Sequence, residues 1–139
     1  MSGMNIEITG LIALAFLILV YVSVQSMALK AVAGNSWTVG ARDNPVAENP
    51  LAGRAKRATS NLLETALVYV CLAVATELSG RSTALTEWGA IVYLVGRTVY
   101  LPAYLSGVPW LRTIIWNIST AALAVMLYGV LFPLKSVAT

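Results

Sequence analysis

The chain has no histidine, one cysteine and few charges: nine Lys plus Arg and six Asp plus Glu among 139 residues. Without histidine there is no imidazole general base and no His-ligated metal site. The single Cys71 forbids an internal disulfide. Its place in the apolar stretch from Leu67 to Val74 suggests a small hydrophobe buried in a core. Charged residues make up 11% of the chain, where soluble domains carry about a quarter. With 58% hydrophobic residues and a mean hydropathy of +0.77, too little polar material exists to coat a soluble surface. The formal charge of +3 implies no nucleic-acid partner, and its meaning lies in where the cations sit.

What the chain does have is long apolar runs. A bilayer core about 30 Å thick needs roughly 20 apolar residues per helix, and four runs meet that length, at about 6–29, 57–78, 85–105 and 110–134. The expected fold is all-α: a polytopic membrane four-helix bundle, one domain over residues 1–139. The tripeptide Ala31-Val32-Ala33 before Gly34 has the small residues of a signal-peptide cleavage site. No basic residue precedes the run, however, and about 24 apolar residues exceed a signal core, so the run reads as a span. Short turns at Ser79 to Ser82 and Ser106 to Pro109 make the last three helices antiparallel neighbours. The segment from Ala33 to Gly53, with Asp43, Pro45, Glu48 and Pro50, reads as an irregular solvated loop. Lys30, Arg42, Arg54, Lys56, Arg57 and Arg112 fall at one face, and Arg81 and Lys135 at the other. The positive-inside rule therefore puts the first and third loops in the cytoplasm and both termini outside.

Ionisable groups inside spans are the informative ones, because a charge near a helix centre costs about 2.5 to 3.5 kcal/mol on insertion scales. Arg57, Asn61 and Glu64 stand at i, i+4 and i+7 and share a helical stripe. Arg97, Tyr100 and Tyr104, at i, i+3 and i+7, share another, near the helix-bending Pro102. Arg112, Thr113 and Trp116 open the fourth helix. Arg54 and Lys56 read as headgroup-level charges that set topology. Arg97 has two readings, a salt bridge to Glu64 or a ligand contact, and Arg57 with Glu64 has the same two. Tyr100 and Tyr104, taken alone, suit a membrane-interface belt. Together these groups make a cytoplasmic-side site for an anion that also carries an amine. The polar groups cluster in one half of the membrane, which argues against an ion pathway.

The pattern Arg57-Ala58-x-x-Asn61-x-x-Glu64 resembles the signature of the MAPEG family of membrane proteins in eicosanoid and glutathione metabolism. Gly96-Arg97-x-x-Tyr100-x-x-x-Tyr104, then Gly107, Arg112 and Trp116, resembles that family's third helix and the start of its fourth. The resemblance runs from Tyr21 onward and implies a homotrimer in the bilayer, with glutathione as co-substrate, no metal, and a lipophilic second substrate. It implies that Arg57 and Asn61 contact the peptide, that Glu64 holds its amino group, and that Arg97, Tyr100 and Tyr104 complete the site. It further implies that Arg112 stabilises the thiolate with Thr113 beside it, and that Lys30, after Gln25, supplies a basic contact. Ser60 and Tyr100 match the leukotriene-C4-synthase and microsomal glutathione transferase branch, while Trp116 replaces a tyrosine of some members. Cations suit the two carboxylates of glutathione and Glu64 suits its ammonium. A neighbouring guanidinium lowers a thiol pKa, each unit being about 1.4 kcal/mol. The function implied is a glutathione transferase or peroxidase. The alternative is a non-catalytic lipid-binding or scaffold member.

Overall fold

The structure, a computed structural model, describes residues 4–47 and 49–133. Glu48, Leu134 and Lys135 lie outside the described residues. Four helices follow one another: α1 (Ile6–Val39), α2 (Pro50–Ser79), α3 (Ala84–Ser106) and α4 (Pro109–Leu131). The described residues contain no strand, and the expected all-α four-helix bundle is what forms. Three of the helices, α1, α2 and α4, are long and apolar enough to cross a membrane. The 23-residue α3 matches α4 in length but is less apolar, because Arg97 and three tyrosines interrupt its run.

Local chemistry sets the helix ends, and it moves two of them well away from the hydropathy limits. Nothing between Lys30 and Ala33 can stop a helix, so α1 runs on to Gly34, which breaks it at φ 78°, ψ 168°; this left-handed-side conformation suits glycine. A short helical segment follows, pinned by Trp37 Nε1 donating to the Asn44 carbonyl at 2.7 Å. The second helix starts seven residues before the expected Arg57. Asn49 caps it, accepting from the Leu51 and Ala52 amides at 2.9 and 3.4 Å, and Pro50 occupies its first turn, where a missing N–H costs nothing. The loop expected over Ala33 to Gly53 thus shrinks to Gly40 through Asn49. Thr83 and Thr86 form a reciprocal capping box at the start of α3. Gly80, at φ 63°, ends α2 in the left-handed conformation. At the end of α4, Pro133 disfavours helix in the residue before it.

In the bundle α2 and α3 form the central pair, α1 packs on both, and α4 packs on both from elsewhere; α1 and α4 do not touch. The α3–α4 seam is closest because glycine lines it. A Cβ on Gly89 would lie 2.8 Å from the Ala122 carbonyl oxygen and 3.0 Å from Met126 Cβ. Gly96 sits against Ser119 in the same way. The outer surface carries exposed large apolar residues such as Phe16, Leu19, Leu67 and Trp88, as a lipid solvent permits. Cys71 belongs to that exposed set, so the expected burial is corrected: its helix turns this position outward while Leu72 and Ala73 pack inward.

The end of the bundle near Gly80 also holds a buried polar group. Glu7 is fully buried; Ser82 Oγ donates to its carboxylate at 3.0 Å, Thr86 Oγ1 donates as well, and Tyr69 donates to its carbonyl oxygen at 3.1 Å. This corrects the expectation that polar groups lie in one half only. One prediction follows from the glycine seam. Gly89→Val should destabilise the bundle by about 1–3 kcal/mol, the usual penalty of overpacking, read as a lower thermal midpoint in detergent; an unchanged midpoint would refute close α3–α4 contact there.

Candidate functional site

Arg97 sits inside the bundle with none of its surface exposed. Its helix supplies a sandwich of rings, because Tyr93 and Tyr100 lie one turn below and above it. The guanidinium carbon is 5.5 Å from the Tyr93 ring centre and 5.2 Å from that of Tyr100, within range of cation–π attraction. Nη1 donates to Asn61 Oδ1 of α2 at 2.9 Å. The remaining nitrogens, Nε and Nη2, are buried with no partner among the described residues. From behind, Tyr21 of α1 donates its hydroxyl to the Arg97 carbonyl, and the Tyr93 hydroxyl pairs with Thr65 Oγ1 at 3.0 Å. Burying a charge whose hydrogen bonds are incomplete costs several kcal/mol, so this arrangement is expensive in the empty protein.

From Arg97 the group continues toward the α3–α4 turn. Tyr100 and Tyr104 meet edge to face at 5.4 Å, and the half-buried Arg112 lies 5.1 Å from the Tyr104 ring. Both tyrosines are buried, which removes them from an interfacial belt. Asn61, Arg97, Tyr100, Tyr104 and Arg112 thus form one continuous cluster contributed by α2, α3 and α4.

The other sequence-derived residues stand apart. Glu64 is exposed and accepts from Ser60 Oγ at 3.4 Å; Asn61, and not Glu64, takes the Arg97 hydrogen bond. Arg57 is exposed, and a Cβ built on Gly53 would sit 3.3 Å from its Nη1. Its head therefore lies back along the first turns of α2, whereas Asn61 is one turn in the opposite direction. Thr113 is exposed and donates to the Pro109 carbonyl at 2.9 Å. Lys30 is exposed on α1, a helix that does not reach α4. Arg54 does more than set topology, since its Nη1 donates to the Leu105 carbonyl at 3.1 Å and ties α2 to the end of α3. Gly107 makes room for it: at φ 79°, a Cβ there would lie 2.6 Å from the Arg54 guanidinium carbon.

Sequence reasoning missed Tyr21 and Tyr93. The signal for Tyr93 was available, because it precedes Arg97 by four residues and so shares its face. Tyr21 carried none, since only packing brings α1 behind Arg97. Two more buried polar atoms without partners, Trp116 Nε1 and Thr120 Oγ1, lie one turn apart on α4.

Chemically the cluster is a set of donors with too few acceptors. It suits a ligand that brings negative charge into the bundle. Arg97→Met, which keeps the volume and removes the charge, should raise the thermal midpoint of the ligand-free protein, corresponding to about 1–4 kcal/mol. A lower midpoint would show that the charge is already compensated.

Among known proteins, the family model described as "MAPEG family" matches residues 8–132. No curated protein and no solved structure matches the chain.

Proposed function

The chain belongs to the MAPEG family, and on that premise we propose that it is a membrane-bound glutathione transferase or peroxidase acting on lipophilic electrophiles. The observation that carries this reading is the fully buried Arg97 with two unpartnered nitrogens. An acidic peptide supplies the missing acceptors, and its carboxylate would form charge-assisted hydrogen bonds to Nε and Nη2 while Asn61 holds Nη1. Arg57, Glu64 and Lys30 are exposed outside this cluster. In this proposal they receive the remaining charged ends of glutathione, Glu64 taking the ammonium. The residue identities at Ser60 and Tyr100 support a placement near the leukotriene-C4-synthase branch.

The chemistry follows from the cations. Arg112, beside Tyr104 at the end of the cluster, stabilises the thiolate, so that the thiol loses its proton to water without a histidine base. The sulfur lone pair then attacks the electrophilic carbon of the second substrate. A carbon–sulfur bond forms, and the displaced electron pair leaves with the leaving group or settles on the substrate. With a lipid hydroperoxide, sulfur attacks the outer oxygen and the alkoxide departs, taking a proton; a second glutathione then yields the disulfide and water. Thr113, within α4's first turns, is the nearest hydroxyl in sequence to Arg112 and is assigned to the ligand. In this reading α3 crosses the bilayer with the other three helices, both termini lie outside, the first and third loops face the cytoplasm, and three chains assemble so that Arg57, Glu64 and Lys30 face a neighbour.

Calorimetric titration of glutathione into the detergent-purified protein, with ultraviolet thiolate absorbance recorded alongside, tests the proposal. Saturable binding with a thiolate signal is expected. Arg112→Ala should keep binding within about tenfold yet lose the signal, whereas Arg97→Met should lose binding itself, as a severed buried charge contact commonly costs about 2–5 kcal/mol. No binding at saturating glutathione would overturn the enzyme reading in favour of a lipid-binding or scaffold role.

A further inference from the structure

A sizeable cleft in the bundle lies apart from the Arg97 cluster. It encloses about 650 Å³ between the second half of α1, the loop residues Val46, Ala47 and Asn49, and the first turns of α2, a volume in the small-molecule range. Its walls divide by chemistry. Leu29 and Val32 of α1 with Val46 of the loop form an apolar side, and Gln25, Lys56 and Arg57 form a polar, cationic one. The basic pair differs from its neighbour Arg54, which is engaged by the Leu105 carbonyl. Arg57 is drawn toward this cleft, since its head lies against Gly53, itself a lining residue.

Helix length sets the depth of the cleft. The 30 residues of α2 span about 45 Å at 1.5 Å per residue, which exceeds a hydrocarbon core of about 30 Å. The excess falls at the N-terminal end, because all three cations of the helix, Arg54, Lys56 and Arg57, lie within its first eight residues. Lys56 and Arg57 therefore stand at headgroup level, with Leu29 and Val32 beside them. A cleft with cations at headgroup depth and an aliphatic wall matches a molecule that has an anionic head and a hydrocarbon tail.

We propose that this cleft binds the phosphodiester headgroup of an anionic phospholipid, the phosphate held by Lys56 with Gln25 on the same wall and the acyl chain laid along Leu29 and Val32. A free phosphate offers the same charge but nothing for the aliphatic wall. The proposal stands apart from the thiol chemistry, because its readout needs no glutathione.

The test is native mass spectrometry of the full chain released from nanodiscs holding equal phosphatidylcholine and phosphatidylglycerol. The protein should retain phosphatidylglycerol in preference, and Lys56→Gln should cut that preference about fivefold, the discrimination that one basic residue supplies near an anionic membrane surface. Arg42→Gln removes the same charge from the adjoining loop, outside the cleft lining, and should change the preference by less than twofold. Leu29→Trp, which fills the apolar wall, should lower lipid retention as well. Three results would overturn the proposal: no preference for the anionic lipid, an equal loss in Lys56→Gln and Arg42→Gln, or displacement of the lipid by excess inorganic phosphate with Leu29→Trp having no effect. The first would remove the anion site, the second would reduce it to general surface charge, and the third would assign it to free phosphate.

Discussion

A charge held inside an apolar bundle organises this protein. Arg97 cannot reach water, so its stabilisation has to come from side chains that surround it: two tyrosine rings on its own helix, one amide from α2, and a hydroxyl from α1 that steadies the backbone at its root. Three helices are thereby committed to one residue. Hydrophobic sequestration distinguishes little between packing arrangements in lipid, where the solvent is as apolar as the core, and specific polar contacts and close packing carry more of the choice. The incomplete hydrogen bonding of Arg97 leaves a demand for an acceptor inside the bundle.

The opposite end of the bundle uses the inverse device. Glu7 is a buried carboxylate held by hydroxyls from the α2–α3 turn and α3, with Tyr69 on its carbonyl. Tyr69 stacks on Tyr93 at 5.1 Å, and Tyr93 lies under Arg97. Aromatic packing thus links the two polar ends through the core, and the glycines at 89 and 96 let α4 close against the pair from the side. Polar ties at the ends and small residues along the seam set the helix register more sharply than apolar burial alone.

Helix length and membrane thickness are separate quantities here. At 34 and 30 residues, α1 and α2 are each longer than the roughly 20 residues a span needs, and a cleft with cationic and aliphatic walls opens between them near the first loop. The Arg97 cluster instead lies among α2, α3 and α4. The bundle therefore presents two basic regions of different character: a buried one that lacks acceptors, and an accessible one between α1 and α2.

Much of this was legible in the sequence. Four apolar runs named the helices, the absence of histidine limited the chemistry, and the spacing of Arg97, Tyr100 and Tyr104 put them on one face, because an α-helix repeats every 3.6 residues whatever surrounds it. Hydropathy could not find the ends of α1 and α2, since it reports solvent preference and says nothing of hydrogen-bond termination; Gly34 and Asn49 decide those. Nor could periodicity choose a partner for Arg97. Asn61 and Glu64 both stood on the candidate stripe, and only the rotation of α2 in the bundle turns Asn61 inward and leaves Glu64 outside. The same rotation exposes Cys71. The sequence by itself determined which residues share a helix face, because that depends on local geometry; the tertiary structure alone decided which faces meet, because that depends on how four helices bury a charge, a carboxylate and a glycine seam at once.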